Sequence, residues 1–127
     1  MPFARATGIE LIAARKDEVV GKLEWAAERT TAGGVLHGGA IMTLADSTGA
    51  VCAFLNLPDG ARTSTISSST VFTGAVRSGS VTATSRPLHV GRTTIAVRTD
   101  LSDDGGRYIA HVTQIQAVLT NKTGSDG

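Results

Sequence analysis

Cysteine is nearly missing from this chain: Cys52 is the single one among 127 residues. One thiol can form neither an intramolecular disulfide nor a thiolate metal cluster. His37, His89 and His111 stand far apart, and neither His-Glu-x-x-His nor Cys-x-x-Cys occurs, so no metal is expected. A charge excess of either sign is also lacking. The formal net charge is +1, and the 12 Lys and Arg are scattered with no basic run and few aromatics between them, which argues against nucleic acid as a partner. The N-terminus carries Arg5 and Arg15 but no apolar run of signal-peptide length, and no uninterrupted apolar stretch is long enough for a bilayer. The expected location is therefore the cytoplasm, with no membrane partner. No Gly-x-Ser-x-Gly elbow occurs, which disfavours a serine hydrolase.

What is present fits one domain, expected over residues 1–120, followed by a polar tail, Asn121 to Gly127, expected to be disordered. Ile9 to Arg15 and Val19 to Ala26 flank the polar turn Lys16-Asp17-Glu18 and read as a hairpin. Thr63 to Thr73 is rich in Ser and Thr, but its β-branched content favours a strand. Gly79 to Val90, Thr93 to Ser102 and Arg107 to Thr120 are separated by Gly91-Arg92 and by Asp103-Asp104-Gly105-Gly106. Both separators are tight-turn chemistry, so these three segments predict an antiparallel meander. Pro87 belongs near a strand end or at an edge.

Between the strand pair and the four later strands runs a segment of good helix formers from Gly38 to Leu57, free of proline before Pro58. Ile41, Leu44, Ala45, Thr48, Cys52 and Leu55 share one helical face, and Ala40, Val51 and Phe54 lie off it, so the helix is apolar nearly all round. Such a helix must be wrapped. The reading is an α+β domain in which an antiparallel sheet of about six strands curls around one long central helix. One sheet cannot cover every side, which invites a second copy of the chain.

The ten residues from His37 to Asp46, His-Gly-Gly-Ala-Ile-Met-Thr-Leu-Ala-Asp, put two glycines at the helix entrance and a carboxylate in its apolar second turn. An ionisable group there must be paired or functional. At the entrance the backbone N–H groups are unpaired, the helix dipole favours negative charge, and a glycine lets a carbonyl approach closely. Attack on an acyl carbonyl needs such donors, together with a group that attacks the carbon or activates water. Eight residues at about 1.5 Å each separate Gly38 from Asp46 by about 12 Å, too far for both to reach one carbonyl. Two chains would have to share a site.

Gly34-x-x-His37-Gly38-Gly39-x-x-x-x-Leu44-x-Asp46, followed by Ser85-Arg86-Pro87-Leu88-His89-Val90-Gly91-Arg92, resembles the hotdog-fold acyl-CoA thioesterases. The likeness is to both the phenylacetyl-CoA type and the hydroxybenzoyl-CoA or dihydroxynaphthoyl-CoA type, and spans about Gly8 to Leu119. It implies hydrolysis of an aromatic or medium-chain acyl-CoA, with coenzyme A as part of the substrate and no separate cofactor. It also implies a dimer, extended to a dimer of dimers, in which Gly38 and Asp46 meet across an interface. Asp46 would be the nucleophile or the general base. His37 would orient the helix entrance or contribute near the thioester, with Gly39 beside it. Thr31 stands where relatives carry an amide that positions water, and Thr65 and Ser67 lie on the strand that supplies a hydroxyl near the carboxylate. Gly91 and Arg92 form the turn near the coenzyme A end, where a guanidinium suits phosphate; Arg77 and Arg86 have weaker claims. Phe72 replaces a polar histidine of the dihydroxynaphthoyl type, which also commonly uses Glu where this chain has Asp46, so that substrate is not carried over. Leu55, Val71 and Phe72 are pocket candidates. His89 and His111 read as ordinary strand residues. Two other readings stay open: a hotdog hydratase or dehydratase, and a non-catalytic acyl-CoA-binding module.

Overall fold

The computed structural model describes residues 1–120. The expected tail from Asn121 to Gly127 lies outside the described residues. In chain order the elements are a short helix α1 (Pro2–Ala6), strands β1 (Glu10–Ala14) and β2 (Val19–Glu24), a 3-10 turn at Ala27–Arg29, and the long helix α2 (Gly38–Leu55). Strands β3 (Arg62–Phe72), β4 (Ser80–Val90), β5 (Thr94–Asp103) and β6 (Tyr108–Leu119) follow. Every strand expected from alternation is present with ends shifted by at most two residues. Helix α1 and the 3-10 turn carry no periodic pattern and were not expected.

The strands form one antiparallel sheet in the order β1-β2-β4-β5-β6-β3. The hairpin and the meander are as expected. Strand β3, though it precedes the meander in sequence, lies beyond it, against β6. Helix α2 thus carries the chain from the β2 side of the sheet to the far edge.

Leu44, Ala45, Cys52 and Ala53 on α2 are wholly buried against Leu23, Val81, Ala83, Ile95, Val97 and Leu101 of the sheet. The closest approach is at Gly21 of β2, where a Cβ would stand 2.5 Å from Thr48 Oγ1 and 3.3 Å from Leu44 Cδ1. Thr48 spends its hydroxyl on the Leu44 carbonyl at 2.7 Å, so it can be buried without an unmet donor. Helix α2 is long and apolar enough by length and composition to cross a membrane, with a mean hydropathy of 1.3, which corrects the expectation that no segment is. Its packing against all six strands makes it the core helix of the domain.

Pro87 lies inside β4, yet β2 pairs with β4 only from Ser80 to Ser85. Beyond that point β4 has a free side, and the register slips between Pro87 and His89. A residue without an N–H is tolerated there because no neighbour on that side needs one.

Candidate active site

The entrance of α2 is anchored before the helix begins. Leu36 N–H donates to the Val76 carbonyl and His37 N–H to the Arg29 carbonyl, each at 2.8 Å, and the Thr30–Leu36 bridge closes the loop between them. Within that loop Thr31 Oγ1 accepts from Gly33 N–H at 3.2 Å, and Gly34 takes φ +81°, a conformation that only glycine adopts readily. The Thr31 hydroxyl is therefore engaged in its own turn.

His37 is the N-cap of α2: its backbone is extended, and its Nδ1 accepts from Gly39 N–H at 2.7 Å. An accepting Nδ1 requires the proton on Nε2. The N–H groups of Ala40 and Ile41 donate to the His37 carbonyl at 2.9 and 3.2 Å. Gly38 N–H is thus the first-turn donor left without a partner among the described residues. A Cβ on Gly38 would stand 3.2 Å from Phe72 Cζ, so the ring of β3's last residue lies directly over this donor's residue.

Asp46 is on the exposed side of α2, one helical step from the buried Ala45. Its Oδ1 accepts from Gln114 Nε2 at 2.8 Å, a full-strength bond, and lies 3.4 Å from Thr65 Oγ1, a longer and weaker contact. Gln116 Nε2 donates to Thr65 Oγ1 at 2.8 Å, and Thr63 Oγ1 donates to Gln116 Oε1 at 3.0 Å. Gln114 and Gln116 are essentially completely buried, on the face of β6 that packs on the helix. Neither was singled out from the sequence. The signal was present: in the alternation Val112, Gln114, Gln116, Val118, two amides take the inward positions of an otherwise apolar face.

Thr65 is where expected; Ser67 is not. A register shift between Thr65 and Ser67 pairs Ser67 with Ile115 and turns it to the outer face of the sheet. Ser68, paired with Gln114, takes the inward position instead and borders the same groove as Asp46. That groove, about 660 Å³, is open to solvent, and its walls include Phe3, Met42, Thr43 and Ser47. Gly39 also lines it, but Gly38 does not. Gly91 and Arg92 form the exposed β4–β5 turn, closed by Gly91 N–H donating to the Thr94 carbonyl at 2.8 Å, and border neither the groove nor Asp46. Among the described residues no cluster of His, Cys, Asp and Glu could hold a metal ion.

One six-stranded sheet curled on one helix, with a free N–H at the helix entrance and a carboxylate on its exposed side, defines a hotdog-fold protein. Residues 33–110 match the thioesterase superfamily, and the chain belongs to it. Among individual proteins it is similar to a Vibrio cholerae protein that bears an esterase name, with 34% identity over 76 residues, 60% of this chain. The match covers 51% of that protein, so it spans about half the length of the curated relative. A mutant thioesterase of Pseudomonas aeruginosa superposes with a TM-score of 0.88 at 27% identity, covering 92% of this chain and 85% of the other. Two further structures share the fold. A Haemophilus influenzae thioesterase gives a TM-score of 0.91 at 24% identity over 97% and 86% of the two chains. The Escherichia coli PaaI protein from the phenylacetic acid degradation operon gives 0.88 at 20% over 96% and 87%.

Proposed function

We propose that this protein is an acyl-CoA thioesterase that converts an aromatic or medium-chain acyl-CoA and water to the free acid and coenzyme A. The observation that carries this reading is the pairing of an open carboxylate, Asp46, with an unpartnered helix-entrance donor, Gly38 N–H, on a fold of the thioesterase superfamily. Gly38 N–H would donate to the carbonyl oxygen as it becomes negative. Asp46 would either take a proton from water as that water attacks the carbonyl carbon, or attack the carbon itself and form an anhydride that water then opens. In both routes the C–S bond breaks and the sulfur leaves as thiolate, to be protonated. His37 supports the site by capping the helix rather than by touching the reacting atoms. Arg92 is suited to a phosphate of coenzyme A.

Gly38 and Asp46 are about 12 Å apart along one helix, so a single thioester can meet both only if two chains contribute. An available surface for the second copy is β3: an edge strand of 11 residues, exposed over nearly its whole length, with Ile66, Val71 and Phe72 solvent-facing at 60%, 47% and 46%. A long apolar edge with unpaired backbone groups is built to be paired. The proposed assembly is a dimer through this edge, and a dimer of dimers beyond it.

Thiol release from a panel of aromatic and straight-chain acyl-CoAs, with Asp46→Asn in parallel, tests the reading. Turnover by the native protein and its loss in a folded Asp46→Asn is the expected result. Binding of coenzyme A without turnover by either would instead make this a binding module. A single turnover in 18O-water tests for the anhydride: label in the Asp46 carboxylate beside an unlabelled first product acid shows direct attack, with water opening the anhydride at the Asp46 carbon.

A further inference from the structure

Gln114 holds a position that neither packing nor helix stability accounts for. Its side chain is fully buried, its Nε2 donates to Asp46 Oδ1 at 2.8 Å, and its Oε1 has no hydrogen-bond partner. Helix α2 makes room for it: at Gly49 a Cβ would stand 1.8 Å from Gln114 Oε1 and 2.9 Å from Cδ. Glycine inside a helix is unfavourable relative to alanine, so this helix gives up stability at the one place where an amide must pass beneath it. The amide can present only one end to Asp46. A carboxylate accepts and does not donate, so Nε2 faces it and Oε1 is left against Gly49.

Beside it a second line of donors ends on the same oxygen. Thr63 donates to Gln116 Oε1, Gln116 Nε2 donates to Thr65 Oγ1, and the one hydroxyl hydrogen of Thr65 is left to point at Asp46 Oδ1. Every donor in the line runs one way. Asp46 Oδ2 has no protein partner among the described residues, and Asp46 is the one charged side chain among the residues that line the groove.

We propose that Gln114 is the positioning residue for Asp46: together with Thr65 it fixes Oδ1, sets the carboxylate plane, and leaves Oδ2 as the oxygen that meets the thioester or its attacking water. The inference rests on the proposed role of Asp46. It adds two residues that the reaction requires without touching substrate, Gln114 and Gly49.

Gln114→Met keeps the length and removes the donor. Expected are a kcat lower by about 10- to 100-fold, because small misplacement of a reacting group is costly, and a KM that changes by less than about threefold. Gly49→Ala displaces Gln114 without altering it and should shift kcat the same way; the double variant should lose less than the product of the two single losses, because they break one contact. Thermal unfolding verifies that each variant is folded, so that a fall in kcat at near-native KM reports on the placement of Asp46 and not on loss of structure. Folded variants with native kcat and KM, beside an inactive Asp46→Asn, would overturn the positioning role alone. Full turnover by Asp46→Asn would overturn this role and the proposed function together.

Discussion

At the scale of single residues, the side chains with unusual surroundings sort by what burial does to them. Cys52 lies wholly within the core on α2, and burial pushes its thiol up to about 11 from 9.0. The neutral thiol is the form the fold accepts, so the unfolded chain loses its proton first as pH rises. Stability should therefore be indifferent to this group below about pH 9 and fall between about pH 9 and 11, as the unfolded state comes to bind fewer protons. A correspondingly inert thiol is expected at pH 8: the folded protein should not react with Ellman's reagent on the minute scale, and should react fully in denaturant. Fast reaction of the folded form would mean that Cys52 is reachable. Asp46 is the opposite case, a carboxylate at the surface whose surroundings are buried polar groups. Its position inside an apolar helix was legible from sequence; the buried amides that fix it were not, because an inward-facing glutamine leaves only a polar gap in an alternating pattern.

At the scale of elements, the contact between α2 and β2 decides how closely helix and sheet can pack. Gly21 admits Thr48 and Leu44 to van der Waals contact with the strand backbone. Gly21→Ala should cost about 1–3 kcal/mol by forcing these side chains off their rotamers, seen as a lower urea midpoint with an unchanged slope. A neutral result would show that the helix can shift outward without cost. The strands themselves were readable because Val19 to Glu24, Thr94 to Asp103 and Tyr108 to Leu119 alternate cleanly between buried and partly exposed residues. Strand β3 was readable as a strand but not as an edge. Its Ser and Thr residues fit either face, and only pairing with β6, some 40 to 60 residues onward, decides which of them turn inward.

At the scale of the whole molecule, the proposed pairing of Gly38 with Asp46 on one thioester requires a second chain, because the two lie about 12 Å apart along one helix. The length and exposure of β3 favour edge-to-edge pairing with a second copy, and a lysine in the middle of an edge strand opposes such pairing. Ile66→Lys, at a position already 60% exposed, should leave each chain folded, reduce the mass in light scattering to that of one chain, and abolish thiol release. Full activity at single-chain mass would rule out a site shared between subunits. The sheet order belongs to this scale too. Local patterns predict the hairpin and the meander, whereas the placement of β3 beyond β6 follows from the path of α2 across the sheet.

By itself the sequence determined the period of the six strands and of the long helix, the turns of the hairpin and meander, the glycine entrance of the central helix and the presence of a carboxylate within it, because all of these are relations between near neighbours in the chain. The tertiary structure alone decided that Ser68 rather than Ser67 borders the groove, that Thr31 is engaged in its own loop, and that Gln114 lies beneath Asp46. The physical reason is register. A shift of one residue between Thr65 and Ser67 reverses which face a side chain occupies, and a hydrogen bond between residues 68 positions apart is set by packing, which no local pattern encodes.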